Sequence, residues 1–138
     1  MRFREFLLRP ATNSDIPAIK KLVFSSLIEH GLRPDETGKD KDLDDIEKNY
    51  SSNNGFFGVA IYEETNQIVG TFGIHPMAQK ICELRKMYLS KEVRGQGLGR
   101  WLLERTVAIS LYKKFGFKEV KPREINERVD QAFELYIQ

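Results

Sequence analysis

The sequence is poor in residues that cross-link, anchor or ligate. It has one cysteine, Cys82, in 138 residues, which excludes an internal disulfide and suits a reducing cytosol. Its two histidines, His30 and His75, stand at no ligand spacing to each other or to Cys82, so no metal site is expected. No apolar run is long enough to cross a bilayer. Met1-Arg2-Phe3-Arg4-Glu5 leads into no apolar signal region, so neither a membrane partner nor a secretory leader is expected. Neither sign of charge is in excess. Lys+Arg 22 against Asp+Glu 20 leaves +2, too balanced for nucleic-acid binding by bulk electrostatics. Repeats and low-complexity segments are also lacking. A cytoplasmic location follows as an expectation.

What is present describes a globular chain. Hydrophobic residues make up 41% and charged residues 30%, a core under a charged surface. Nine Phe, five Tyr and one Trp supply the apolar bulk that a disordered chain lacks. The length fits a single domain over 1–138.

The pattern alternates strands and helices. Phe3 to Arg9 reads as a strand closed by Pro10. Thr12-Asn13-Ser14-Asp15 supplies N-cap candidates, with Pro17 in the first turn. Ile16, Ile19, Val23 and Leu27 predict a helix to about Glu29, with Gly31 as its stop. Asp42 to Tyr50 suits a short helix with Leu43, Ile46 and Tyr50 on one side. Phe57, Val59 and Ile61 alternate on one strand of a hairpin, and Ile68, Phe72 and Ile74 on the other. Glu64-Thr65-Asn66 turns between them, and His75-Pro76 ends the second strand. Cys82 to Leu89 is a further strand and Ser90 to Arg94 a loop. The glycines open a helix that includes Trp101, Leu102 and Leu103, and a second helical fragment, Ala108 to Phe115, ends at Gly116. Two last strands are expected at Phe117 to Val120 and Ala132 to Ile137. Three strands in succession imply antiparallel pairing there, and a helix between others implies a mixed sheet.

The strand that ends at Leu89 leads into Arg94-Gly95-Gln96-Gly97-Leu98-Gly99 and then a helix. That order suits a bound phosphate. Glycines let backbone N–H groups approach an anion, and the helix start adds free donors and the positive end of its dipole. A P-loop would need Gly-Lys-Ser/Thr, but Arg100-Trp101 follows Gly99. A dinucleotide fingerprint would place its third glycine at Arg100. Its turn also follows the strand tightly, whereas Ser90 to Arg94 intervene here.

The remaining reading is a cradle for the pyrophosphate of coenzyme A. The loop resembles motif A of the GNAT superfamily of acyl-CoA-dependent N-acyltransferases, Arg/Gln-x-x-Gly-x-Gly/Ala. Other segments resemble the same family in the right order. Leu8-Arg9-Pro10-Ala11-Thr12 with Asp15 is similar to its opening strand and helix start. Ile68-Val69-Gly70 is similar to the third strand, and Glu83 to Leu89 to the fourth. Leu111-Tyr112-Lys113-Lys114-Phe115-Gly116-Phe117 is similar to motif B. The match spans residues 6 to about 120.

The resemblance implies a GNAT-like α/β fold, a twisted and mostly antiparallel sheet flanked by helices. It implies acetyl-CoA as co-substrate and a small-molecule or peptide amine as acceptor, with a homodimer left open. Arg94, Gly95, Gln96, Gly97, Leu98, Gly99 and Arg100 would hold the pyrophosphate. Met87, Tyr88 and Leu89 would pair with the pantetheine arm through their backbone, like an added strand. Glu83 would be the base, working through water, and Tyr112 the acid that protonates the leaving thiolate. Each assignment has a structural alternative. Glu83 would pair with Arg85, two residues on along one strand face. Tyr112 would pack its helix onto the sheet, and Arg94 would neutralise a carboxylate such as Glu92. The acidic cluster Asp40, Asp42, Asp44, Asp45 and Glu47 reads as a solvated helix face in preference to an amine-attracting patch. Cys82 reads as a buried structural thiol. A non-catalytic acyl-CoA-binding regulatory domain is the competing function, and an association subunit a third.

One departure from the family is local. Leu111 follows Gly99 by 12 positions, where the family places a strand and its loops, roughly 20 residues more. Either the sequence omits residues of the natural protein or the protein lacks that strand. Omission is the preferred explanation, because a true loss would strip a wall from the cofactor cleft and leave a sheet edge unpaired.

Overall fold

A computed structural model describes residues 1–78, 81–113, 118–119 and 133–136. Its order begins with β1 (Arg2–Phe3), β2 (Phe6–Pro10) and α1 (Ile16–Glu29). Then come α2 (Ile46–Asn49), β3 (Phe56–Tyr62), β4 (Gln67–Ala78) and β5 (Ile81–Leu89). Last are α3 (Leu98–Tyr112), β6 (Lys118–Glu119) and β7 (Phe133–Tyr136). The strands form one sheet in the order β1-β2-β3-β4-β5-β7-β6. Every described pair is antiparallel. The parallel pair that a mixed sheet would carry is not among the described pairings.

Each face of the sheet buries its own core. On one, Leu98 and Leu102 of α3 pack with Phe6, Phe72, Ile74, Cys82 and Leu84. On the other, Ile19, Val23 and Leu27 of α1 pack with Leu43, Ile46, Tyr50, Phe57 and Val59. The expected helical stripes of residues 16–27 and of Leu43, Ile46 and Tyr50 are thus the stripes that are buried.

The first helix starts and stops as its sequence predicts. The Thr12 N–H donates to the Asp15 carboxylate at 2.8 Å, one half of a capping box. Gly31 lies at φ +75° after the last turn, the left-handed position a glycine fills without strain.

Several boundaries differ. The first strand is a hairpin with Phe3 opposite Phe6, because Arg4 turns the chain at φ +53°. The segment 42–50 is a 3-10 turn over Lys41–Asp44 and then α2. Asp45, with φ −152°, breaks the two apart and caps the second by accepting from Lys48 N–H. Strand β4 continues beyond His75-Pro76 to Ala78. Pro76 faces Cys82 where the register slips, and a proline is tolerated at such an irregularity. A second slip, between Ala60 and Ile61, turns Ile68 toward the α1 core while Phe72 and Ile74 face α3.

The expected helix break near residues 104–108 is absent. Leu98, Leu102, Thr106 and Ser110, four apart, are all buried. The hydroxyls of Thr106 and Ser110 donate to the carbonyls of Leu102 and Thr106 at 2.9 and 2.7 Å, so a polar pair can occupy the buried stripe. The sheet edge that a missing strand would expose is partly covered, since β7 pairs with β5 over Ile81–Leu84. That part of the β5 edge is therefore paired. Residues 114–117, 120–132 and 137–138, where parts of motif B and the last strands were expected, lie outside the described residues.

Candidate active site

The site is built where β5 hands the chain to α3. The loop after Leu89 makes a 3-10 turn at Lys91–Val93, reaches Gly95 at φ +78° and Gly97 at φ +89°, and enters the helix at Leu98. A side chain at Gly95 would have open space, and one at Gly97 would meet only Phe3 at 3.5 Å. The glycines are therefore needed for their backbone conformation and not for room. Gly99 has the opposite reason: a Cβ there would come within 3.2 Å of Leu89 Cδ1. Trp101 N–H closes the first helical bond on the Gly97 carbonyl at 3.0 Å. Helix geometry then leaves the N–H groups of Leu98, Gly99 and Arg100 without a carbonyl one turn back. These donors and the helix dipole suit an anion.

The Arg94 side chain is held at the start of that loop. It donates from Nε and Nη2 to the Leu89 carbonyl, at 3.1 and 2.9 Å, and grips Glu29 at the end of α1. Its hydrogen-bonded carboxylate is Glu29, not the neighbouring Glu92. The pair holds the Glu29 carboxyl below the usual range. These contacts clamp the entry of the loop.

Strand β5 has one edge on β4 along its length, while β7 covers its other edge only to Leu84. From Arg85 to Leu89 the second edge has no described strand partner. An extended ligand lying along this stretch would add to the sheet as a strand does, while the Leu89 carbonyl is already held by Arg94 and the Lys86 carbonyl by Thr71.

The same strand carries a bulge. Thr71 faces Tyr88 and Gly73 faces Arg85, so Lys86 and Met87 together oppose Phe72. Lys86 sits at φ +56°, a conformation that costs an L-residue roughly 1–2 kcal/mol. The bulge inverts the faces of the strand. Cys82 and Leu84 before it, and Met87 and Leu89 after it, all join the α3 core, while Tyr88 joins the other. A parity break between Leu84 and Met87 is visible in the sequence and is the signal that would have located the bulge.

Beneath it lies a buried polar cluster. The Lys86 side chain, 8% exposed, places Nζ 3.4 Å from Asp40 and 3.2 Å from Asp42, and donates to the Lys39 carbonyl at 3.1 Å. Thr71 Oγ1 donates to the Lys86 carbonyl at 2.7 Å. Fully buried Tyr50 donates its hydroxyl to Asp42, and burial, with Asp42 beside it, holds that phenol well above its ordinary pKa. The expectation of a solvated acidic face is corrected here for Asp40 and Asp42, because Lys86 draws both inward. Asp44, Asp45 and Glu47 remain at the surface, pairing with Lys20 or Asn13.

Glu83 lies across the strand pair from His75 and binds Arg85 Nε directly, the contact its structural alternative named. Its side chain is 17% exposed, within reach of solvent. His75 Nδ1 is buried without a hydrogen-bond partner among the described residues. Burial first, then the Arg85 charge, lowers the pKa of that imidazole and favours its neutral form. Tyr112 is the last residue of α3, and its side chain lies outside the described set. Cys82 is fully buried, and burial pushes its thiol up to about 12, which leaves no reactive thiolate. No group of side chains suited to a metal occurs among the described residues, and no described helix is long and apolar enough to cross a membrane.

The family model for the acetyltransferase (GNAT) domain matches residues 53–119, from the end of the α2 region through β3, β4, β5 and α3. An uncharacterized N-acetyltransferase of Escherichia coli (strain K12), YjgM, is 34% identical over 117 residues, covering 81% of this chain and 68% of that protein. This chain belongs to the GNAT superfamily. By that membership it is an acyltransferase. The fold agrees. A GNAT acetyltransferase from Staphylococcus aureus Mu50 superposes with a TM-score of 0.76 at 22% identity, covering 95% of this chain and 98% of that one. A predicted acetyltransferase from Clostridium acetobutylicum, solved with acetyl-CoA, gives 0.59 at 24% identity over 78% and 75%. The continuous α3 runs through the interval where the family resemblance implies a strand and its loops. The buried Lys86 cluster is a feature the sequence did not disclose.

Proposed function

We propose that the chain is a single acetyltransferase domain that moves an acetyl group from acetyl-CoA to a primary amine by direct attack in a ternary complex. The observation that carries this reading is the end of β5, which no described strand pairs on its β7 side beyond Leu84, running into the Gly97–Arg100 donors, an arrangement that suits an extended arm and its pyrophosphate in one continuous site. Gly95, Gln96, Gly97, Leu98, Gly99 and Arg100 receive the pyrophosphate. Backbone groups among Met87, Tyr88 and Leu89 receive the pantetheine, and Arg94 supports the loop through Glu29. Bound acetyl-CoA supplies an activated thioester carbonyl.

The chemistry asks two proton transfers of this chain. The amine attacks as its free base, because the ammonium form, with a pKa near 10.4, has no lone pair, and on forming the C–N bond its nitrogen must lose a further proton. Glu83 takes that proton through water. Cleavage of the C–S bond releases a thiolate, and the Tyr112 phenol, protonated at neutral pH, returns a proton to it.

Initial rates measured against both substrates test the order of events. Intersecting double-reciprocal lines support direct transfer, and parallel lines, the mark of a covalent acyl-enzyme, refute it. Glu83→Gln should lower kcat by about 10²-fold if it is the base.

The second reading is a regulatory acyl-CoA binder. The Arg85 grip on Glu83 favours it, because an engaged carboxylate is less available as a base. Coenzyme A binding without turnover on any amine would select it.

A further inference from the structure

Two ion clusters lie on the α1 face of the sheet, and they differ in access. The Lys86 cluster is sealed, with Lys86, Asp40 and Asp42 no more than 9% exposed. The Glu83–Arg85 pair is open to solvent, with side chains 17% and 28% exposed. Sealed charges are locked into the fold, whereas a contact pair at the surface can change partners.

Arg85 keeps donors for a second partner. Its Nε binds Glu83, while Nη2 meets the sulfur of exposed Met77 at 3.9 Å. A thioether is a weak acceptor, and a carboxylate arriving from solvent would displace it, since a guanidinium presents paired donors that match one. The floor beneath the pair is fixed. Gly73 faces Arg85, and His75 faces Glu83. Tyr50 fills the space that Gly73 leaves, where a Cβ would come within 2.8 Å of its ring. Tyr50 also packs edge-on to His75, with ring centroids 5.6 Å apart. The neutral form favoured at His75 adds no third charge to the pair.

A cation and an anion in contact are the complement of a molecule that carries a carboxylate and an ammonium on one carbon. We propose that the Glu83–Arg85 pair is the acceptor site and that the acceptor is a free α-amino acid, its carboxylate docked on Arg85 and its amino group facing Glu83. Binding is an exchange of partners. The pair and the zwitterion are each neutral, so their exchange brings no net charge into the site. It also releases Glu83 from Arg85, which makes the carboxylate available as a base once an acceptor is seated. The engaged Glu83 of the free protein is then the resting state of an acetyltransferase. This inference rests on the acetyl-transfer reading of the site.

The test uses the common amino acids, each beside its α-carboxamide, which differs by the loss of one charge. Acetyl transfer to each is measured with wild type, Arg85→Gln and Arg85→Lys, together with coenzyme A affinity and thermal midpoint. Wild type should favour at least one acid over its amide by about 10- to 100-fold in kcat/KM. The amide has the less basic amine and is more often in its reactive form, so amine reactivity alone would give the reverse order. In Arg85→Gln the ratio should fall to within about threefold of one. Arg85→Lys keeps a cation beside Glu83 without the paired donors. Its ratio should lie between the two, and it serves should Arg85→Gln not fold.

Amides used as well as acids by wild type would overturn the inference. So would a folded Arg85 variant that keeps the wild-type ratio. A loss of rate on acids and amides alike would also overturn it, and would assign Arg85 to holding Glu83. Wild type that binds coenzyme A without turnover on any amine would refute the acetyl-transfer reading. Calorimetric titration of the same pairs into the coenzyme A complex would then decide the site: binding of acid but not amide supports it, and equal or absent binding overturns it.

Discussion

Arg94 and Glu29 meet in a two-pronged ion pair, with Nη1 2.6 Å from Oε2 and Nη2 2.9 Å from Oε1. The pair joins residues far apart in sequence, the end of α1 and the entry to the glycine loop. A guanidinium presents two parallel donors to a carboxylate where an ammonium presents a point charge. Arg94→Lys should therefore loosen the loop although the charge is kept, weakening coenzyme A binding about three- to tenfold. Calorimetric titration with coenzyme A checks this, and Glu29→Gln should move affinity in the same direction.

The left-handed glycines make a second prediction. Gly97→Ala places a Cβ on a backbone at φ +89° and should destabilise the fold by about 1–2 kcal/mol. A fall in the urea midpoint at unchanged slope would show it. Coenzyme A affinity should fall as well, because relief of the strain would turn the loop N–H groups away.

Cys82 should be inert. Its thiol is fully buried and held at about 12, so a thiol reagent at pH 8 should label the native protein far more slowly than the protein in denaturant. Rapid labelling of native protein would contradict the packing of β5 against α3.

His75 sets an acid limit on stability. Its pKa is lowered in the folded state by burial and by Arg85. Above about 6.5, the ordinary value, the ring is neutral both folded and unfolded and the shift has no effect. As pH falls below that value the unfolded chain binds a proton that the folded chain resists, so stability declines. Urea midpoints at pH 7.5 and 5.5 should differ, with the lower at pH 5.5. His75→Gln should reduce that difference.

Much of this architecture was legible in the sequence, and what was not has specific causes. Helix α1 and its stop could be read because apolar spacing and a left-handed glycine act locally. The hairpin at Arg4 could not, since neither Arg4 nor Glu5 is a turn-forming residue. The helix through residues 98–112 was divided because Thr106 and Ser110 are polar, and only their bonds to the preceding turn let them share a buried stripe. The glycine cradle was legible because it depends on residues adjacent in the chain. The Lys86 cluster was not, since Asp40 and Asp42 look like surface charges until the fold brings β5 beneath them. Its trace in the sequence is the change of apolar parity between Leu84 and Met87.

Acetyl transfer from acetyl-CoA to an amine is the activity proposed for this member of the GNAT superfamily. The most direct measurement is thiol release from acetyl-CoA by wild-type protein across a panel of primary amines, paired with coenzyme A titration. Saturable coenzyme A binding and thiol release that depends on at least one amine are the expected results. Saturable binding with amine-independent background release throughout the panel would contradict that activity.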